Sequence, residues 1–156
     1  YININYFLNM IKVMFDMPLN ARCEIVLDID VAFALVAATE KIYKKNELRG
    51  DKGFIAGGKT NGCQLTNREM LSSVFNEIGL VFPRDELFSD DINNYYLDWY
   101  DTVETQNMLK YQNHTFEQWK TLIKKYLYFY QLPLFLLRKP ILKWLEKQSK
   151  KYEKLS

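Results

Sequence analysis

Several residue types that mark particular protein classes are scarce in this 156-residue sequence. Its two cysteines, Cys23 and Cys63, cannot make a disulfide framework and suit a reducing compartment. Together with His114, the only histidine, they lack the spacing of a zinc site. The longest apolar stretch, 127–137, is interrupted by a glutamine and a proline and is too short to span a bilayer. These absences argue against a disulfide-stabilised domain, a zinc protein and a membrane-spanning helix.

The residues that are abundant favour a folded protein. Hydrophobic residues make up 48% of the chain and aromatic residues 15%. The length predicts a single domain over 1–156. The few cysteines favour a cytoplasmic protein. The start at Tyr1 suggests a fragment of a longer protein. Net charge is only +2, but residues 138–156 contain seven basic and two acidic side chains. This stretch predicts a basic amphipathic C-terminal helix.

The spacing of apolar residues predicts an α+β fold that is mostly helical with a few short strands. Apolar positions repeat every three or four residues over 4–15, as in an amphipathic helix. The remaining predicted segments, in order, are a strand over 23–27, a helix over 31–45, a polar turn over 46–52, a strand over 54–56, a helix over 67–78, two short capped helices in series within 98–119 and a final helix from Pro140.

Several helix ends carry capping residues. Asp30 is predicted to be the N-cap of the helix over 31–45. Thr66 and Glu69 form a capping-box pattern, and Gly79 is predicted to end that helix in a left-handed conformation. The same pattern recurs in two further pairs, Asp101 with Glu104 and Thr115 with Gln118.

Residues 53–60 fit the phosphate-loop pattern G-x-x-x-x-G-K-[ST]. A phosphate loop needs an apolar strand before the first glycine and a helix that starts at the lysine. Here Asn61 and Gly62 would break a helix at that point. The pattern therefore favours a short strand that ends in a glycine turn.

The remaining candidate catalytic and ligand-binding residues each have a simpler structural interpretation. His114 could act as a general base, but it has no nucleophile nearby in the sequence, so a structural or surface role is favoured. Asp28 and Asp30 could form a catalytic carboxylate pair, although a helix cap explains Asp30 more simply. One group of aromatic residues could stack on a base or sugar, or pack in a core or an interface: Tyr95, Tyr96, Trp99 and Tyr100.

Four segments occur in an order typical of one enzyme family. Residues 24–32 read Glu-Ile-Val-Leu-Asp-Ile-Asp-Val-Ala, residues 54–58 read Phe-Ile-Ala-Gly-Gly, and 98–106 and 109–112 contain Asp-Trp-x-Asp-Thr-x-Glu and Leu-Lys-Tyr-Gln. Together they resemble the C-terminal half of extended short-chain dehydrogenase/reductases, the NAD-dependent epimerase/dehydratase family. The corresponding family motifs include E-F-V-H-V-x-D-V-A, N-I-G-G-G and leucine-glycine-aromatic. Lys110 therefore stands where that family has glycine.

The resemblance implies the substrate-binding lobe of an NAD(P)-dependent sugar-nucleotide epimerase or dehydratase-like oxidoreductase. The full-length Rossmann-type α/β enzyme would bind NAD or NADP through a glycine-rich loop and use a catalytic Y-x-x-x-K pair. Neither motif occurs in this sequence, so the chain alone would bind no cofactor and would not be catalytic. The Rossmann half would lie in cis or on a partner chain, and a homo-oligomer is expected, without nucleic acid or membrane contact. By the resemblance Arg22 contacts the substrate phosphate, and Tyr95 and Trp99 are predicted to stack on the substrate.

An alternative hypothesis is that the chain is an interaction module and not part of an enzyme. The apolar stretch 127–137 and the basic C-terminal helix would dock on a protein partner or a membrane surface, in a non-catalytic interaction module. Binding to lipid vesicles distinguishes this alternative from the enzyme lobe.

Overall fold

The computed structural model describes residues 4–45, 53–95 and 97–155, so the turn predicted over 46–52 lies outside it. The described chain is mostly helical with one two-stranded antiparallel sheet, which confirms the α+β class. It divides into two compact units. Unit 1 comprises Tyr1–Ala21, Thr66–Leu97 and Leu122–Ser156, and unit 2 comprises Arg22–Leu65 and Asp98–Thr121.

Helices dominate the order of elements. They are α1 (Ile4–Asp16), α2 (Asp28–Lys45), α3 (Asn67–Glu77), α4 (Val103–Leu109), α5 (Phe116–Tyr126), α6 (Gln131–Leu136), α7 (Arg138–Glu146) and α8 (Tyr152–Leu155). The strands are β1 (Arg22–Glu24) and β2 (Gln64–Thr66), and short 3-10 turns occupy Asp85–Leu87, Ile92–Asn94 and Tyr128–Tyr130.

The strand predicted over 54–56 is wrong. Residues 54–56 are irregular, and the second strand, β2, forms further along the chain at Gln64–Thr66. Side chains satisfy the backbone at Ala56 in place of a strand neighbour. The Tyr111 hydroxyl accepts from the Ala56 N–H at 3.1 Å and donates to the Ala56 carbonyl at 2.9 Å. The predicted strand over 23–27 is also shorter than expected, since β1 ends at Glu24.

The core of unit 1 is built on the amphipathic pattern of α1. Its buried cluster combines residues from α1, α3, the segment around 87 and α7: Ile11, Phe15, Leu71, Phe75, Leu87, Phe88 and Leu145. Phe82 stacks on Phe88 with ring centroids 5.4 Å apart. Helix α1 and its apolar periodicity are thus confirmed.

The helix ends predicted at Thr66, Gly79 and Thr115 are confirmed. Thr66 and Glu69 make both bonds of the capping box, and Gly79 has φ +74° after the C-cap of α3. The Thr115 hydroxyl accepts from the Gln118 N–H at 3.3 Å, while the Gln118 side chain accepts from the Thr115 N–H. The cap predicted for Asp101 with Glu104 is wrong by one residue, because the N-cap of α4 is Thr102, and the Asp101 carboxylate accepts from the Val103 N–H at 3.1 Å.

The stretch 138–156, predicted as one helix, contains α7 and α8 with a turn between them. The turn is fixed by Ser149, which is buried. Its hydroxyl donates to the Leu87 carbonyl at 2.6 Å and accepts from the Lys151 N–H at 3.2 Å. A side-chain bond of this kind competes with continued helix and ends it locally.

Candidate functional site

Asp30 and His114 form a buried pair in unit 2. Asp30 is 1% exposed, and its two carboxylate oxygens accept from His114 at different atoms. Oδ1 lies 2.6 Å from the imidazole Nδ1, and Oδ2 accepts from the His114 backbone N–H at 3.1 Å. The predicted N-cap role of Asp30 is wrong, because α2 begins at Asp28, whose carboxylate accepts from the Ile29 N–H.

This pair places a hydrogen on one nitrogen of the imidazole. Because a carboxylate accepts, Asp30 is bonded to an imidazole that carries hydrogen on Nδ1. The His114 side chain is 29% exposed, so part of the ring reaches the surface. The pair joins the residues before α5 to the first turn of α2, which is the structural role favoured for His114. Asp28 is exposed and is bonded to its own helix, so it does not pair with Asp30 as a catalytic carboxylate.

Cys63 is not an activated nucleophile. It is 1% exposed, and its burial, with the negative charges of Glu24 and Asp30, raises the pKa of the thiol from 9.0 to about 11. Nucleophilic cysteines need the opposite environment, an electropositive and partly exposed one that favours the thiolate. Cysteine-based covalent catalysis is therefore not supported by this geometry.

Glu24 connects three segments of unit 2. Its Oε1 accepts from the Gly58 N–H at 2.8 Å, and its Oε2 accepts from the Tyr100 N–H at 2.8 Å and from the Gln64 side chain at 3.3 Å. Three donors thus share one carboxylate that lies at the end of β1. The arrangement fixes the backbone around Gly58 and Tyr100, which both line the cleft described next.

A cleft of about 510 Å³ lies beside these residues, entirely within unit 2. Its lining combines aromatic rings with amide, ammonium and hydroxyl groups and one carboxylate, including Lys59, Gln64, Trp99, Tyr100, Asp101, Asn107 and Gln112. The Gln112 side chain is held in place, since its Nε2 donates to the Ala56 carbonyl at 2.8 Å and to the Thr102 hydroxyl at 2.9 Å. The volume of the cleft is in the range of small-molecule sites, which typically span about 300–1,000 Å³.

The structure brings together two of the three predicted substrate residues. The guanidinium carbon of Arg22 lies 4.6 Å from the centre of the Trp99 ring, and Arg22 also pairs with Asp98 at 3.1 Å. The Trp99 indole N–H donates to the Leu65 carbonyl at 3.0 Å. A bond from the Trp99 backbone N–H and the bond from Arg22 lower the pKa of the Asp98 carboxyl. The ring of Trp99 is thus positioned from both its edge and its face.

The other predicted aromatic residues are differently placed. Tyr95 belongs to unit 1, where its hydroxyl donates to Asn67 Oδ1 at 3.3 Å, and the structure does not group it with Arg22 and Trp99. Tyr100 stacks on Phe54 with ring centroids 4.8 Å apart. Tyr96 lies outside the described residues.

The segment that fits the phosphate-loop pattern has no phosphate-loop structure. Residues 53–58 are irregular, and a turn over 59–62, closed by the Gly62 N–H to the Lys59 carbonyl at 2.9 Å, stands where a helix is required. Gly57 packs so closely that a Cβ there would lie 2.0 Å from the Ile25 carbonyl oxygen. The glycine serves close packing, and the predicted glycine turn is confirmed.

The described residues do not fit a dinucleotide cofactor or a metal. Neither β1 nor β2 leads through a glycine-rich loop into a helix, so nothing here forms the strand–loop–helix cradle that a pyrophosphate needs. Within 4–45, 53–95 and 97–155, no group of three or more potential ligands could hold a metal ion.

Sequence reasoning did not anticipate the roles of Glu24, Gln112 or the pairing of Asp30 with His114. A signal was available for Glu24, a carboxylate next to the apolar run of 25–27. No local pattern relates Asp30 to His114, which are 84 positions apart. Comparison of the chain with protein-family models, with curated proteins and with solved structures gave no match.

Proposed function

We propose that unit 2 binds a hydroxyl-rich small molecule, as the substrate lobe of an NAD(P)-dependent sugar-nucleotide epimerase or dehydratase-like oxidoreductase. The observation that carries this proposal is the cleft beside Trp99 and Gln112. Aromatic rings can pack on the C–H face of a sugar, while the amides of Gln64 and Asn107 offer both donors and acceptors to its hydroxyls. Lys59 and, next to Trp99, Arg22 supply positive charge for a phosphate group.

Backbone geometry at Lys110 supports the family assignment. Lys110 has φ +52°, the only positive φ of a non-glycine residue among those the structure describes. The conformation closes α4, with the Lys110 N–H bonded to the Gln106 carbonyl at 2.9 Å. The family motif that this segment resembles has glycine at that position, and glycine is the residue that adopts such a φ without strain. The motif and the local backbone thus agree.

An exposed apolar face on α2 supports a missing partner half. Three large side chains at positions i, i+4 and i+7 of α2 share one face and are about half exposed or more: Ile29, Phe33 and Val36. A Rossmann half, in cis or on a partner chain, would cover this face and would supply the dinucleotide loop and the catalytic tyrosine and lysine. This chain's own residues would bind and orient the substrate, and the chain alone would not bind a dinucleotide.

Ligand titration of the purified chain tests the proposal. We expect a nucleoside diphosphate sugar to bind, and Trp99→Leu to weaken that binding by about tenfold, because one aromatic packing surface is lost. Trp144→Leu is the matched control, since Trp144 lies in unit 1 and has nearly the same exposure as Trp99, 41% against 40%. Saturation-transfer NMR is suited to weak binding and reports which ligand protons contact the protein.

A second variant separates the two ends of the ligand. Arg22→Gln is expected to reduce the preference for the diphosphate form over the free sugar, while leaving contacts to the sugar ring in place. Failure of every nucleoside diphosphate sugar to bind, or equal loss of binding in Trp99→Leu and Trp144→Leu, would contradict the proposal. Saturable binding of NADH to this chain would contradict its cofactor part.

A further inference from the structure

A large apolar surface of unit 1 is exposed over residues 126–137. Eight side chains there are at least half exposed, namely Tyr126, Tyr128, Phe129, Tyr130, Leu132, Phe135, Leu136 and Leu137. We refer to these eight residues as the exposed apolar segment. Large contiguous apolar patches are rare on soluble monomers and mark sites of interaction.

Basic residues border the exposed apolar segment on both sides. Lys124 and Lys125 precede it, Arg138 and Lys139 follow it, and Lys143 comes four residues later. The sequence contains no aspartate or glutamate between residues 118 and 145. None of the five cations forms an ion pair with any residue of the described ranges. Five basic residues therefore flank these apolar side chains, and one acidic residue, Glu77 of α3, lines the same groove as Lys124 and Phe129.

We propose that the exposed apolar segment and its five cations dock on an anionic lipid surface. Leucine and aromatic side chains would enter the boundary between headgroups and acyl chains, and the lysine and arginine heads would meet the lipid phosphates. Charge complementarity selects this occupant, because anionic lipids compensate five cations at once. A second copy of the chain would instead bring the same positive charges to face each other.

The geometry favours a segment that lies on the bilayer. The exposed apolar segment runs from the end of α5 through the 3-10 turn Tyr128–Tyr130 and the short helix α6, which contains Pro133, to Leu137. No helix in the part of the chain that the structure describes is long and apolar enough to cross a membrane. This proposal replaces the sequence-based expectation of no membrane contact, because the sequence does not show that these side chains are exposed. It rests on unit 1 and is independent of ligand binding by unit 2.

Vesicle co-sedimentation of the full chain tests the proposal. We expect binding to vesicles of phosphatidylcholine mixed with phosphatidylglycerol, weakened by salt, and little binding to phosphatidylcholine alone. Removing two charges with Lys124→Gln and Lys125→Gln should weaken binding about 25-fold, since each basic charge near such a surface contributes about fivefold. Phe129→Ser should weaken it by about tenfold or more through lost apolar burial.

Matched variants outside residues 124–143 control for the change in net charge and for nonspecific hydrophobic adsorption to vesicles. Lys12→Gln with Lys44→Gln removes the same charge from exposed positions, and Tyr43→Ser removes an aromatic ring that is 85% exposed in unit 2. Circular dichroism establishes that each variant is folded. Equal binding to both kinds of vesicle, or equal losses in variants and controls, would overturn the proposal. Lipid-independent self-association that Phe129→Ser abolishes would assign the surface to a second copy and would overturn it as well.

Discussion

The Asp30–His114 pair should be one of the most energetically important contacts of unit 2. Asp30→Ala removes the acceptor for two hydrogen bonds made by a buried carboxylate, one at 2.6 Å and one at 3.1 Å. Hydrogen bonds to charged groups contribute about 1.5–3 kcal/mol each, so we expect Asp30→Ala to destabilise unit 2 by about 3–5 kcal/mol. His114→Ala should cost about 3 kcal/mol, because it leaves a buried carboxylate with only one backbone donor.

The double variant distinguishes a true pair from two independent residues. Once the carboxylate is gone, losing the imidazole adds little, so Asp30→Ala with His114→Ala should be less destabilised than the sum of the single variants. We expect a coupling energy of about 2 kcal/mol. Asp28→Ala is the matched control in the same helical turn. Its carboxylate is exposed and bonded only within α2, and it should cost about 0.5–1 kcal/mol.

Thiol labelling gives a readout confined to unit 2. Both cysteines of the sequence, Cys23 and Cys63, lie in unit 2 and are buried. Their labelling rate in the native protein therefore reports how often unit 2 opens, without contribution from unit 1. Additive effects of Asp30→Ala and His114→Ala, within about 0.5 kcal/mol, would refute the pairing argument. If Asp30→Ala does not fold, Asp30→Asn keeps the volume and one acceptor and completes the same cycle.

Two further predictions concern backbone strain and pH. Lys110→Gly should stabilise the protein by about 1 kcal/mol in urea unfolding, because the left-handed φ at that position strains a lysine. Gly79→Ala is the reverse change and should destabilise the protein, because only the φ of +74° opposes an alanine whose Cβ would lie in open space. A stabilising effect of Gly79→Ala would contradict the reasoning. For Cys63, a pKa raised to about 11 means that the native thiol keeps its proton to higher pH than the unfolded one. Stability is therefore retained below pH 9 and should fall by up to about 2 kcal/mol as pH rises through the folded pKa. Cys63→Ala should show a smaller decline over this range in pH-dependent unfolding, and an identical decline would rule out the thiol as its cause.

Local signals in the sequence predicted local structure well. The capping box at Thr66, the left-handed Gly79 and the reciprocal bonds of Thr115 and Gln118 depend on residues three or four positions apart. Their physics is complete within one helical turn, so the sequence alone contains what is needed. The amphipathic α1 was predictable for the same reason.

Contacts over long distances in the sequence were not predictable in this way. Asp30 has the residue type and the sequence position expected of an N-cap. In the structure its carboxylate is buried and bonded to His114, and α2 begins at Asp28. The apolar run of 54–56 has the composition of a strand, but Tyr111, 55 positions later, takes the backbone bonds of Ala56. In the cleft, Trp99 was identified from its aromatic character, whereas Gln112 gives no such signal until its two acceptors are known.

The order in which the two units use the chain has a consequence for biosynthesis. Unit 2 is made of two stretches separated by 32 residues of unit 1, and unit 1 itself is made of three stretches. A ribosome therefore cannot release one finished unit before starting the next, because unit 2 begins at Arg22 and is complete only at Thr121. Contacts between such distant stretches slow folding, and they leave early segments exposed while later ones are synthesised. Neither unit can be isolated by a single truncation, and a cut after residue 121 would remove α7 and its Leu145 from the core of unit 1.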